Sequence, residues 1–226
     1  MFRIVQTDFQ GDHNLGLFCK ASDKVCIVGG IASEKNMEDV GKILEVPVVN
    51  VSVSDTHLCG IFIAMNSSGL LVPKIASEHD VKNFKEIGKK FGLDVTVMDS
   101  NYTALGNLVI ANDNGAIISD FFSQSDKKKI EDCLDVESKY HTIAGIRTVG
   151  SASVATNKGC LMHRDAKEEE IKFVKDFLKV DADIGTANFG SPFVGSCMVA
   201  NSNGCAAGYS TTGYEVTRIM EALKFL

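Results

Sequence analysis

Apolar positions along the chain keep two rhythms that alternate. Leu58-Cys59-Gly60-Ile61-Phe62-Ile63-Ala64-Met65 is an almost unbroken apolar run. Asn66-Ser67-Ser68-Gly69 interrupts it, and Leu70–Pro73 resumes it. Short apolar runs bounded by turn residues predict strands, here Leu58–Met65 and Leu70–Pro73, joined by a turn of residues suited to positive φ. The rhythm then lengthens. Val81, Phe84, Ile87 and Phe91 fall at helical spacing and predict a helix over Glu78–Phe91, with Ser77 as N-cap and Asp80 three residues on in a capping-box position. Val95-Thr96-Val97-Met98 returns to strand character and closes the unit.

The same sentence is written five times. A glycine pair nine residues apart recurs as Gly60/Gly69, Gly106/Gly115, Gly150/Gly159 and Gly195/Gly204, and a first copy keeps Gly16 but has Val25 at the second place. The leading glycines are separated by 44, 46, 44 and 45 residues, a period that marks a repeat architecture. Further helices are expected near Glu34–Leu44, Asp126–Leu134, Ala166–Leu178 and Tyr214–Leu226, and closing strands at Val48–Val53, Tyr140–Ile143 and Asp183–Ala187. Thr212 with Glu215, and Asp165 with Glu168, read as helix caps. The fifth unit ends on its helix without a closing strand, whereas the strand-like Phe2-Arg3-Ile4-Val5 stands unattached before the first. The economical solution lets the N-terminal strand complete the fifth unit and close a ring, because a closed ring needs no capping repeats. The expectation is one α/β domain spanning residues 1–226, a five-fold pseudosymmetric propeller.

Composition narrows the function classes. The 226 residues are 45% hydrophobic and 23% charged, with a net charge of −6 and both signs mixed along the chain. No basic stripe of the kind that serves phosphate contacts is evident, and Lys127-Lys128-Lys129 and Lys82, Lys85, Lys89 and Lys90 lie on expected helix surfaces. The N-terminus lacks the apolar core of a signal peptide, no run of 18 apolar residues exists, and the seven cysteines form no CxxC pair, so a cytoplasmic location is expected.

The repeat also lets each candidate side chain be compared with its equivalents. Cys26, Cys160 and Cys205 share a slot with Leu70 and Ala116; Cys197 shares one with Phe18, Phe62, Leu108 and Ala152; Cys59 with Leu15, Leu105, Val149 and Val194; Cys19 with Ile63, Val109, Ser153 and Met198. Cysteine in such company is a small buried hydrophobe, as is Cys133 on the apolar stripe of its helix. His163-Arg164-Asp165 is the one cluster that suggests a Cys/His/acid arrangement. Asp165 reads as a helix cap, however, and His163 as a surface residue. No HxxxH, GxGxxG or GxxxxGK[ST] pattern occurs, so neither a metal nor a nucleotide cofactor is expected. What remains is the ring of leading glycines with the varied residues that follow them: Gly16-Leu17, Gly60-Ile61, Gly106-Asn107, Gly150-Ser151 and Gly195-Ser196. The glycines serve close backbone approach, and the variable slots are where a partner surface is sought.

Gly69-Leu70-Leu71-Val72-Pro73, Ala104-Leu105-Gly106-Asn107 with Asn112-Asp113, Val149-Gly150-Ser151 and Thr211-Thr212 stand in register over the whole chain. In these the sequence resembles the archaeal translation initiation factor 6 family, ribosome anti-association factors. The resemblance implies the pentein fold. It also implies a non-enzymatic, monomeric protein that binds the intersubunit face of the large ribosomal subunit, blocks joining of the small subunit, and acts in large-subunit maturation. Docking in the family is onto a ribosomal protein near the sarcin–ricin loop, and whether rRNA is also touched is left open by the sequence. Gly16, Gly60, Ile61, Gly106 and Asn107 match positions of that face, and pseudo-symmetry extends it to Leu17, Gly150, Ser151, Gly195 and Ser196. Ile61 stands where eukaryotic relatives carry arginine, and the eukaryotic C-terminal tail has no counterpart after Leu226, so tail phosphorylation is not expected. A second reading from the same fold is an enzyme that modifies guanidino groups through a Cys nucleophile, and a third is a general protein-interaction ring.

Overall fold

A computed structural model describes residues 3–30 and 32–226. It contains five three-stranded sheets, each built from an inner, a middle and an outer strand. In the second unit these are Ala64–Met65, Gly69–Pro73 and Asp94–Met98. The inner pair is antiparallel and the outer pair parallel, with Ala64 opposite Leu71 and Leu70 opposite Val95. The inner strands of the other units are Cys19–Ala21, Val109–Ala111, Ser153–Ala155 and Met198–Ala200. The outer strand of the fifth sheet is Ile4–Thr7, parallel to Cys205–Gly208, with Ile4 opposite Cys205. The N-terminal strand therefore completes the fifth unit as expected, although Phe2 lies outside the described residues.

The middle strands explain the apolar runs. Leu70 lies in one core cluster together with Phe84 and Ile87, whereas its neighbour Leu71 lies in the next, with Ile118 and Ile130. Each sheet is thus buried on both faces, and a strand so placed reads as continuously hydrophobic rather than alternating. Five clusters result. Each gathers one face of a sheet, the helix of that unit, and the opposite face of the preceding sheet. The cluster of the first unit takes in Val199 and Ala206 from the fifth, which closes the cycle.

The long helices span Glu34–Leu44, Glu78–Phe91, Gln124–Leu134, Glu168–Leu178 and Gly213–Ala222. Ser33, Ser77, Ser123 and Thr212 each accept the N–H three residues on, as N-cap hydroxyls do. The fourth helix departs from expectation. Its cap is Lys167, whose N–H donates to Glu170 Oε2 at 2.9 Å, while Asp165 stays exposed before the helix begins. The capping side chain lost at Lys167 is compensated by the acid at the third helical position.

Two further expectations change. The leading segment Leu58–Met65 is not one strand: Cys59–Phe62 forms a single helical turn and only Ala64–Met65 is extended. Equivalent turns occur at Leu15–Leu17, Leu105–Leu108, Val149–Ala152 and Val194–Cys197. The turn Asn66–Gly69 contains no positive φ. Its shape comes instead from the Asn66 side-chain oxygen Oδ1, which accepts the N–H groups of Ser68 at 3.0 Å and Gly69 at 2.9 Å. Gly69 is glycine for a different reason: a Cβ there would stand 1.9 Å from the Cys133 carbonyl oxygen at the end of the next unit's helix. Gly159 and Gly204 meet the carbonyls of Ala222 and Ile43 in the same way, at 2.1 and 2.3 Å.

Candidate partner-binding face

The strand directions place all five helical turns at one end of the ring. Each outer strand runs toward that end, makes a loop, enters the helical turn and returns as the next inner strand. The leading glycines occupy these turns and form a closed cycle. A Cβ on Gly60 would meet the Gly16 carbonyl oxygen at 2.1 Å, Gly106 that of Gly60 at 2.0 Å, Gly150 that of Gly106 at 2.2 Å, Gly195 that of Gly150 at 2.0 Å, and Gly16 that of Gly195 at 2.0 Å. No side chain fits between backbones at this separation. The glycines are the closure of the ring near its axis, and all five are buried.

The residues after them divide. Leu17, Ile61, Asn107 and Ser196 are half-buried, whereas Ser151 is 9% exposed and turns its hydroxyl inward to the Thr148 carbonyl at 2.8 Å. Leu17 packs against the first core cluster. The Asn107 side-chain amide has no hydrogen-bond partner among the described residues. The structure therefore brings the ten expected positions together at one end, yet offers only part of them to solvent.

The loops that surround the glycine cycle provide the rest of the surface, and buried acids hold them. Asp80, 3% exposed, accepts the N–H of Ser54 at 2.9 Å from the loop entering its unit, as well as the N–H of Ser77 at 3.0 Å. Glu215, 5% exposed, accepts the N–H of Gly190 at 2.8 Å, that of Phe189 at 3.2 Å and the hydroxyl of Thr186 at 2.7 Å. Burial alone would raise both carboxyls, but these bonds outweigh it and hold them below the ordinary carboxylate range. Asn36 in the first unit donates to the Asp8 carbonyl at 2.9 Å from the equivalent helical position.

Sequence reading missed the aromatic residues of this end. Phe189 is 84% exposed and holds φ at 63°, a conformation costly for a bulky side chain, in the loop anchored by Glu215. Equivalent loop positions carry Gln10-Gly11, Ser54-Asp55 and Ala144-Gly145, so an aromatic in a slot of small and polar residues was the available signal. Between the third and fourth units Tyr102 stacks on Phe121 at 4.9 Å, and the Arg147 guanidinium covers Phe121 at 3.7 Å while its Nε donates to Asp120 at 2.5 Å.

The nucleophile candidates lie elsewhere. All seven cysteines are buried and unbridged. Burial pushes the Cys59 and Cys160 thiols up to about 12 and raises Cys197 and Cys205, which keeps them protonated and unreactive. His163 is not a surface residue: it is 6% exposed at the end of a middle strand, packs edge-on against Phe193 at 5.5 Å, and accepts the Asp165 N–H at 3.1 Å. The double-sided burial of the middle strands extends to this last residue. Among the described residues no cluster of three metal-ligating side chains occurs, and no helix is long and apolar enough to cross a membrane.

Comparison with known proteins follows the whole length of this ring. The eIF-6 family model matches residues 4–222. A Pyrococcus furiosus protein named Translation initiation factor 6 is 43% identical over 225 residues, covering 99% of each chain. Its namesake from Thermoplasma acidophilum is 41% identical over 220 residues, 97% of this chain and 99% of that one. The namesake from Pyrococcus abyssi is 40% identical over 222 residues, 97% of this chain and 98% of that one. Among solved structures, a cysteine-to-serine mutant of DDAH from Pseudomonas aeruginosa complexed with citrulline shares 9% identity at a TM-score of 0.49, over 79% of this chain and 69% of that one. A likeness that slight carries no argument about function.

Proposed function

The chain belongs to the eIF-6 family of translation initiation factors, and from that premise we propose that it binds the large ribosomal subunit on its intersubunit face and sterically prevents the small subunit from joining. The observation that carries this reading is the match over residues 4–222, which takes in every unit of the ring. Large-subunit maturation is a further part of the same role. The reading takes residues 1–226 as one domain that acts as a monomer in the cytoplasm, without cofactor and without turnover.

The contact face is the end bearing the glycine cycle. Gly16, Gly60, Gly106, Gly150 and Gly195 set the backbone there. Leu17, Ile61, Asn107 and Ser196 supply side chains, and Ser151 supports its turn from inside. Asn107 is the centre of the proposed face, because a half-buried amide without an internal partner gains most from a partner's hydrogen bonds. The net charge of −6 favours a ribosomal protein near the sarcin–ricin loop over rRNA as the main contact, since phosphate binding draws on clustered basic residues. Occlusion requires no reactive group, in keeping with thiols that burial holds protonated.

Co-sedimentation with purified ribosomal subunits tests the proposal. The chain is expected to pellet with large and not with small subunits, and to suppress their association. Asn107→Lys is expected to weaken binding by about 2 kcal/mol, roughly 30-fold, with an unchanged melting temperature. Equal binding to both subunits would sink the function, and full affinity in the variant would sink the assignment of the face.

A further inference from the structure

The ring leaves a cavity on its axis. The five inner strands stand around it, each the edge of its own sheet, and sheet edges present N–H and C=O groups that no neighbouring strand pairs. The cavity has a volume of about 60 Å³, and its wall includes Lys20, Ala64, Ile110, Val154 and Val199. These five residues hold one slot of the repeat, the fourth after each leading glycine. Four are apolar and one is a cation. Among the described residues Lys20 has no carboxylate partner, and the Cys19 thiol beside it is raised by burial and neutral. Burial lowers Lys20 to about 8, so that at neutral pH it remains an ammonium, half-buried and without a counter-charge. A partly desolvated cation without a partner is stabilised by an anion that reaches it.

Asp23 and Asp113 line the opening among the hairpins and are already engaged. Asp23 accepts the Ser202 N–H at 2.8 Å, the Ser202 hydroxyl at 2.7 Å and the Asn157 amide at 2.8 Å. Asp113 accepts the Ser67 N–H at 2.8 Å and the same Asn157 amide at 2.7 Å. Their charge at the mouth disfavours multivalent anions. A water-sized guest needs about 10–15 Å³, so the cavity has room for one small ion with a few waters.

We propose that the axial cavity is a binding site for one small monovalent anion, of halide size, held between the Lys20 ammonium and the N–H groups of the surrounding strand edges. The site lies inside the ring, against Gly150 and Gly195 of the glycine cycle, and the proposal does not depend on the partner reading.

Melting of the intact chain in sodium bromide against sodium gluconate at equal ionic strength tests the site, with Lys20→Met as the comparison. The variant is expected to fold, because the other four units fill this slot with apolar side chains. At about tenfold excess of bromide over its Kd, the wild-type Tm is expected to rise by roughly 3–6 °C more than that of the variant. That excess should fade as the pH is raised beyond about 8, where the ammonium is lost. A crystal grown in bromide should give an anomalous peak beside Lys20 Nζ. An identical bromide response in both proteins, or no peak beside Lys20, overturns the proposal.

Discussion

A methyl group on Gly106 would stand 2.0 Å from the Gly60 carbonyl oxygen and 2.5 Å from that of Ile63, both rigid backbone atoms. Gly106→Ala is therefore expected to destabilise the fold by about 3 kcal/mol or more, lowering Tm by roughly 6–12 °C. Gly213→Ala is the control, since nothing lies within 4 Å of its Cβ position at the start of a helix. It should be neutral or stabilising by up to about 1 kcal/mol. Equal melting temperatures for the two variants would refute close approach as the reason for the glycine cycle. The five glycines were legible in the sequence as a repeat, and so was their role in backbone approach. Their burial was not legible, because spacing gives the phase of a residue in its unit but not the distance to the neighbouring unit. The same limit hid Asn66, Asn112 and Asn201, whose amides donate to the carbonyls of Leu134, Leu178 and Leu44 across the unit boundaries. It also hid Phe189, whose exposure is set by a loop and not by a hydrophobic period.

At the scale of the element, the capped helices tie the partner face to the cores. Every long helix begins at the glycine end. Asn36, Asp80, Glu170 and Glu215 at their third positions also bond the loop entering the unit, whereas Asp126 bonds only Ser123 among the described residues. Helices and middle strands were legible because each is governed by local rules, the first by an apolar stripe and a cap, the second by double-sided burial. The helical turn at Cys59–Phe62 was not, since three apolar residues around a glycine read equally well as strand. Asp80→Asn tests the anchor. It weakens the bonds from Ser54 and Ser77 and is expected to cost about 1.5–3 kcal/mol at neutral pH. The Asp80 carboxyl is held below its ordinary value in the fold, by bonds that outweigh its burial. Its contribution is therefore fully present above the unfolded value of about 3.9 and is lost as the pH falls through the folded one. Urea midpoints of wild type and variant should converge as the pH drops below about 4. A gap that stays constant into acid would mean that the carboxylate does not hold the loop.

At the scale of the whole molecule, the ring depends on a strand contributed from the far end of the chain. Ile4 packs in the fifth core and Val5 in the first, Arg3 Nη1 donates to Glu45 at 2.6 Å, and the Arg3 carbonyl accepts the Cys205 N–H at 2.9 Å. One short strand thus joins two cores across the seam where the chain meets itself. In an open array the loss of a terminal element is local, but in a closed cycle it also frees the neighbouring unit. Removal of residues 1–7 is expected to cost more than about 3 kcal/mol of apolar burial, lowering Tm by roughly 6–12 °C or more. A synthetic peptide of residues 1–8 should restore part of that loss, because the vacated sheet edge accepts a parallel strand by β-augmentation. Rescue should require the apolar register, so a peptide with Ile4 and Val5 both replaced by Asp should give none. An unchanged melting temperature in the truncated chain would show that the five units hold together without the strand. Equal rescue by both peptides would show that the edge is filled without regard to the two cores.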